Sequence, residues 1–205
     1  MRNFKLLLDL ACGRRLPEEE GGAARRLQLI LLSGIGTAVF AALYGLAAGS
    51  TDMALMLGDV WKVPMVLLLS AAAALPGGLL AWRLLAGEKP ASELLLAVSV
   101  ANFTAAMVLA VLAPIVALYY HSSSMAGGAT AMIACGLALV SGAAILMRTI
   151  WSRVGSPLDW RIGVPMSAVM GLQLVAMIQF VALASPILPE ITVFDGGVDA
   201  IVGSK

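Results

Sequence analysis

The feature that most limits the possible folds of this sequence is a long stretch without charge. Residues 94–147 contain no Asp, Glu, Lys or Arg. A helix of roughly 20 apolar residues crosses the hydrocarbon layer of a bilayer, so this stretch is long enough for two crossings and a turn. Inside a bilayer a helix satisfies its own backbone hydrogen bonds. The stretch therefore predicts two membrane-spanning helices.

The rest of the chain supports the same class of fold. Apolar residues make up 60% of the sequence and charged residues only 12%, whereas soluble domains have about 25% charged residues. Five apolar runs are long enough to cross a membrane: 28–48, 63–86, 93–119, 126–148 and 163–186. The sequence therefore predicts an all-α, polytopic transmembrane helix bundle with about five spans.

The distribution of Lys and Arg predicts the orientation of the bundle, because short loops rich in these residues stay in the cytoplasm. With five spans, two of the 13 basic residues, Lys62 and Lys205, fall on one side. The other eleven fall on the opposite side: Arg2, Lys5, Arg14, Arg15, Arg25, Arg26, Arg83, Lys89, Arg148, Arg153 and Arg161. This asymmetry places the N-terminal arm in the cytoplasm and the C-terminus outside.

The N-terminal arm, residues 1–27, is expected to contain a short amphipathic helix. Over 2–12, the polar residues Arg2, Lys5 and Asp9 share one face and apolar residues share the other, a pattern typical of a helix lying on a membrane surface. A cleavable signal peptide is the alternative for the first span. The length of the arm and its Glu18-Glu19-Glu20 run favour a retained span.

A second surface helix is expected over 51–62, before Pro64 begins the second span. Its apolar stripe includes Met53 and Trp61, and Asp59 and Lys62 face away from that stripe. Arg2, Lys5, Trp61 and Lys62 are therefore the candidate residues at the membrane interface. The alternative is that either segment is simply a helix docked on the bundle. The C-terminal tail, 187–205, is predicted to lie outside and is too short and broken to span.

Two features are candidates for helix packing or for a cavity. Pro76, Gly77 and Gly78 interrupt the second span, and a broken helix in a membrane can line a binding site or simply kink for packing. The neutral polar residues Asn102, Gln173 and Gln179 lie inside spans, where each is expected to hydrogen-bond between helices. Small residues also repeat every four positions, which favours packing within the chain or a homo-oligomer: Gly34, Ala38, Ala42 and Ala134, Ala138, Gly142.

The sequence contains no convincing catalytic or metal-binding pattern. No charged residue lies near the centre of a span, and the two cysteines, Cys12 and Cys135, have no metal-ligand spacing. His121, the single histidine, stands beside serines but lacks the nucleophile and acid arrangement of a hydrolase. The net charge of +1 argues against a nucleic-acid partner. We therefore expect neither an enzyme nor a bound cofactor.

Five spans, a cytoplasmic arm and few charges within the membrane resemble the Yip1-like family of membrane proteins. The motif that carries the resemblance is Lys62-Val63-Pro64 with the apolar run to Pro76. The Asp-Leu-x-Gly-Pro type of signature seen in eukaryotic members is absent, since Asp9-Leu10-Ala11 goes no further. The resemblance implies a non-enzymatic membrane protein that works with partners.

Two functions remain open from the sequence. The first is a scaffold or complex subunit in a bacterial inner (plasma) membrane, in contact with the lipid bilayer and with protein partners or a second copy. The alternative is a small transporter or channel subunit with a neutral polar cavity near the kinked second span. The alternative requires Asn102, Gln173 and Gln179 to converge on one cavity.

Overall fold

A computed structural model describes residues 2–14, 22–87, 89–154, 160–185 and 187. Within these ranges the chain forms six helices: α1 (Arg2–Ala11), α2 (Ala23–Ala48), α3 (Met53–Leu85), α4 (Ala91–Ser122), α5 (Ser124–Val154) and α6 (Trp160–Ala184). Helices α2 to α6 are each long and apolar enough to cross a membrane. The prediction of an all-α bundle with five spans is confirmed, and the chain is a multi-pass membrane protein.

Helix α4 is the centre of the bundle. In the most apolar 18-residue stretch of α4, 67% of the residues are buried, whereas the corresponding share in α6 is 11%. Helix α4 packs against α2 and α5, and α3 packs against α2 and α6. The helices therefore follow one another around the bundle in the order α5, α4, α2, α3 and α6, and the two end members, α5 and α6, have little contact with each other.

The expected surface helix over 51–62 is instead the first part of α3, which continues through Pro64. Asp52 caps the helix by accepting a hydrogen bond from the backbone N–H of Ala54 at 2.9 Å. Two glycines of α2 explain the continuity, because a Cβ on Gly45 would overlap the carbonyl of Asp59 and one on Gly49 would overlap Met56. The missing side chains let α2 and α3 pack at backbone contact.

The two faces of this part of α3 have different environments. Asp59 is fully buried, and the apolar residues Met53, Leu57 and Trp61 are 68%, 60% and 72% exposed. The apolar stripe therefore faces away from the bundle, where lipid can cover it.

Helix α1 forms where the amphipathic pattern predicts it, and its apolar face lies on the bundle. Leu7 and Leu10 are buried in a cluster with Leu29, Leu96 and Phe103. The docked-helix alternative is therefore correct for these side chains. Lys5 is exposed, and the side chain of Arg2 lies outside the described residues.

The turn after α1 requires a glycine for two reasons. Gly13 has a φ of 77°, in the left-handed region that other residues avoid. A Cβ on Gly13 would also overlap the side chain of Arg148 from α5. The turn therefore brings α1 against the end of α5 that carries Arg148, which we name the arginine-rich end of the bundle.

A polar contact joins α2 to α4 at the same end. A guanidinium nitrogen of Arg26 donates to the hydroxyl of Ser92 at 3.0 Å, and the other lies 3.7 Å from the carboxylate of Glu93. Both members of the ion pair have side chains only 20% exposed. The contact ties the first turn of α2 to the first turn of α4.

The two small-residue repeats have different environments. Ala134 and Ala138 are buried. A Cβ added to Gly142 would lie 3.1 Å from the backbone carbonyl oxygen of Ala101. This repeat therefore packs α5 on α4. A Cβ on Gly34 would meet no atom within 4 Å, so its repeat on α2 is not explained by packing within the chain at that position.

Candidate functional site

A lateral groove lies where α5 and α6 diverge, with α3 and α4 forming its floor. It consists of two cavities of about 390 Å³ and 360 Å³. Both cavities are lined by the same five residues at their junction: Leu67, Ala105, Leu139, Leu174 and Met177. The cavities are therefore two parts of one groove, which we call the lateral groove.

The groove is open along the side of the bundle. Its rim contains Leu139 and Val140 from α5, which are 39% and 68% exposed, and Leu174 from α6, which is 46% exposed. From Met132 to Leu146, its lining on α5 extends over about 21 Å at the helical rise of 1.5 Å per residue. The groove thus covers most of the roughly 30 Å of hydrocarbon.

Asn102 and Gln173 meet on the floor of the groove. The side-chain N–H of Gln173 on α6 donates to the side-chain oxygen of Asn102 on α4 at 2.6 Å. The amide nitrogen of Asn102 in turn donates to the backbone carbonyl of Val98 at 2.9 Å. Both residues line the smaller cavity. The predicted role of these two residues as hydrogen-bonding partners between helices agrees with this geometry.

The polar pair lies well inside the membrane-crossing part of the bundle. Gln173 is near the middle of α6, and Asn102 is about 14 Å along α4 from Glu93 by the helical rise. Hydrogen bonds between helices at such depth have no competition from bulk water. The pair therefore holds α6, which has little contact with α5, to the core of the bundle.

The larger cavity has a second polar group at its wall. The hydroxyl of Tyr44 on α2 donates to the carbonyl oxygen of Ala131 on α5 at 3.1 Å and lies 3.6 Å from the sulfur of Cys135. Tyr44 is buried, and Cys135 is partly exposed in the groove. This contact ties α5 to the bundle on the other side of the groove.

Pro76, Gly77 and Gly78 do not line the groove. Helix α3 continues through Pro76 without interruption, so the predicted break is not observed. A Cβ on Gly78 would overlap the side chain of Val169, and one on Gly77 would lie 2.6 Å from Leu172. These glycines serve the packing of α3 on α6, which was the alternative reading of the motif.

The remaining candidates lie apart from the groove. Gln179 is half-buried on α6 and is not among the residues that line either cavity. Trp61 and Lys62 are on the first turns of α3, exposed and half-buried respectively. Of the three polar residues that a transporter would need around one cavity, Asn102 and Gln173 line the same cavity and Gln179 does not.

Asp59 is a polar residue whose environment the sequence did not reveal. Both oxygens of its buried carboxylate lack a hydrogen-bond partner among the described residues. Asp59 lies on the same face of α3 as the buried Val63 and Ser70, at helical spacings of four and eleven residues. Had α3 been extended through Pro64, that spacing would have placed Asp59 on the buried face.

The described part of the chain offers no other chemical centre. No three His, Cys, Asp or Glu residues come together there as a possible metal site. His121 is exposed in the last turn of α4, and the hydroxyl of the adjacent Ser122 donates to the carbonyl of Tyr119 at 3.0 Å. The serine is thus engaged with its own helix.

Comparison with known proteins gave no relative. No family model, no curated protein and no solved structure matches the chain. The resemblance to Yip1-like proteins therefore stays a prediction.

Proposed function

We propose that this chain is a non-enzymatic membrane scaffold or complex subunit that holds an apolar transmembrane segment of a partner protein in the lateral groove. The observation that carries the proposal is the side of the bundle between α5 and α6, which the described residues leave open. We further propose a cytoplasmic N-terminal arm and an exoplasmic C-terminus, from the asymmetry of Lys and Arg. A bacterial inner (plasma) membrane is proposed from the richness of the short chain in Ala, Gly and Leu.

The length of the groove favours the face of a helix as its occupant. A groove that extends about 21 Å along α5 matches a transmembrane segment better than a compact solute. Gly136 on α5 and Gly171 on α6 line the groove, and a Cβ on either would meet nothing within 4 Å. Small residues of this kind allow two helix backbones to approach closely in a membrane.

Photo-crosslinking in native membranes tests the proposal. A photoreactive amino acid is placed at Leu139 or Leu174, which line the groove, and at Ile35, which is 63% exposed on α2 and does not line it. We expect discrete protein adducts from the two groove positions and lipid adducts from Ile35.

A groove-filling variant provides the matched control. Gly136→Phe places a ring in the open space beside α5 and is expected to suppress the adduct formed from Leu174. Adducts with lipid alone at all three positions would contradict the proposal, as would a protein adduct at Leu174 that Gly136→Phe leaves intact.

A small transporter or channel subunit is the second candidate, and the Asn102–Gln173 pair is the observation that favours it. Neutral amides in a cavity could contact a polar solute on its way across. The test is the swelling of liposomes containing the purified monomer in the presence of urea or glycerol. Flux in the wild type that Gln173→Met abolishes would support transport and overturn the scaffold proposal; equal swelling with and without protein would exclude transport of these solutes.

A further inference from the structure

The amide pair on the floor of the groove has hydrogen-bonding capacity that no described residue uses. Among the described residues, Gln173 makes a single hydrogen bond, from its amide nitrogen to Asn102. Asn102 donates one further bond, to Val98. A carboxamide has two N–H donors and an oxygen with two lone pairs. Gln173 therefore keeps one N–H and its whole carbonyl oxygen.

In the membrane, leaving these groups without a hydrogen-bond partner costs free energy. The hydrocarbon of a bilayer contains no water to satisfy them, and an unsatisfied polar group in an apolar medium is strongly unfavourable. Gln173 lines the groove and is partly exposed. Whatever occupies the groove can therefore supply the missing hydrogen bonds.

The residues that line the groove limit the kind of polar group that an occupant can present to Gln173. The described residues that line the two cavities include no Asp, Glu, Lys or Arg, so among them a charged group in the groove would have no counter-ion. A neutral group that both donates and accepts would match the free N–H and oxygen of Gln173. Hydroxyl and carboxamide side chains have this property.

Access to Gln173 is available to a helix. Gly171 precedes Gln173 by two residues, lines the same cavity, and presents no side chain to the groove. A partner backbone can therefore approach α6 closely enough for a short side chain to reach the amide.

We infer that the Asn102–Gln173 pair is a recognition point that selects a partner transmembrane helix carrying a hydroxyl or carboxamide side chain at mid-membrane. The inference rests on the proposed scaffold function and adds the chemistry of its partner. The apolar groove provides the contact area for binding, and the amide pair provides the specificity for one apolar helix over another.

Designed helices test the inference without the natural partner. The full chain is reconstituted in phosphatidylcholine vesicles with one of two Lys-flanked polyleucine peptides, one with a central Asn and one with leucine throughout. Energy transfer between labelled protein and labelled peptide measures binding. We expect the Asn peptide to bind roughly 3- to 30-fold more tightly, the range reported for polar contacts between membrane helices.

Variants of the chain identify the source of the preference. Gln173→Met keeps the length of the side chain and should abolish the preference. Gly171→Leu keeps both amides, blocks the approach, and should abolish it as well, which covers the case in which Gln173→Met misfolds. Gln179→Met, on the same helix but away from the groove lining, is the control and should retain the preference.

The outcomes separate the inference from the proposed function. Equal binding of both peptides, competed by Gly136→Phe, would overturn the inference and leave the scaffold function standing. A preference that survives both Gln173→Met and Gly171→Leu would also overturn the inference. Failure of both peptides to bind would contradict the proposed function itself, and the inference with it.

Discussion

The side chain of Val169 on α6 occupies the space beside Gly78 of α3 into which a Cβ would project. The Pro76-Gly77-Gly78 segment is therefore a notch that admits α6. This contact, together with the Gln173–Asn102 hydrogen bond at 2.6 Å, fixes α6 on the side of the bundle away from α5. The groove exists because α6 is held by α3 and α4 instead of by its neighbour in the sequence.

Filling the notch should destabilise the bundle. We expect Gly78→Ala to lower the free energy of unfolding by about 1–3 kcal/mol, the usual effect of overpacking, because Val169 must move. Thermal unfolding in mild detergent measures the change. Gly163→Ala on α6 is the control, since its Cβ would meet nothing within 4 Å; it should leave the unfolding temperature equal or higher. Equal effects of the two substitutions would contradict the close contact.

Removing the buried carboxylate of Asp59 should stabilise the protein. Both oxygens are buried without a hydrogen-bond partner among the described residues, and relieving an unsatisfied buried group contributes about 1–3 kcal/mol. We therefore expect Asp59→Leu to raise the unfolding temperature. A lower temperature in Asp59→Leu would show that the carboxylate has a bound partner in the folded protein.

A second aspartate on the same helix should respond in the opposite direction. Asp52 caps α3 by accepting from the N–H of Ala54 at 2.9 Å, and loss of such a cap typically costs about 1 kcal/mol. Asp52→Ala should therefore lower the unfolding temperature, and Asp52→Asn should retain most of it. An unchanged temperature in Asp52→Ala would mean that α3 does not depend on this cap.

The contact between Arg26 and Glu93 should show energetic coupling. Their side chains are 20% exposed and 3.7 Å apart, and partners in such a network couple by about 0.5–3 kcal/mol. A double-mutant cycle with Arg26→Met and Glu93→Gln measures the coupling from unfolding in detergent. Additive effects of the two substitutions would show that the ion pair contributes nothing and that only the Ser92 hydrogen bond matters.

The fold could be predicted from the sequence because membrane thickness imposes a length on each span. Runs such as 93–119 and 163–186 lie within or nearly within α4 and α6, whatever their neighbours are. The prediction is wrong for α3. The sequence predicts a surface helix over 51–62 and a span that begins at Pro64, whereas the structure has one continuous helix. A proline tolerated inside a membrane helix looks the same in sequence as one at its first turn.

The groove could be predicted only in part. From the sequence, Asn102 and Gln173 lie inside spans, and each is expected to hydrogen-bond between helices. In the structure they hydrogen-bond with each other. Their pairing, and the separation of Gln179 from them, depend on which helices are neighbours. That arrangement is set by contacts such as Val169 with Gly78, which no periodicity in a single helix reveals. The burial of Asp59 was missed for another reason. The predicted start of a span at Pro64 separated Asp59 from the remainder of α3, including Ser70, which lies on the same buried face.

The proposed orientation of the bundle predicts which cysteines a reagent can reach from outside the cell. Cys12 is exposed beyond α1, near the arginine-rich end, and His121 is exposed at the opposite end of α4. In a Cys135→Ala background, a membrane-impermeant maleimide should label Cys12 only after the cells are permeabilised, because a loop rich in Lys and Arg stays in the cytoplasm. A Cys12→Ala, His121→Cys variant in the same background should be labelled in intact cells. Labelling in the reverse pattern would invert the orientation, and labelling of both positions in intact cells would be incompatible with any odd number of spans between them.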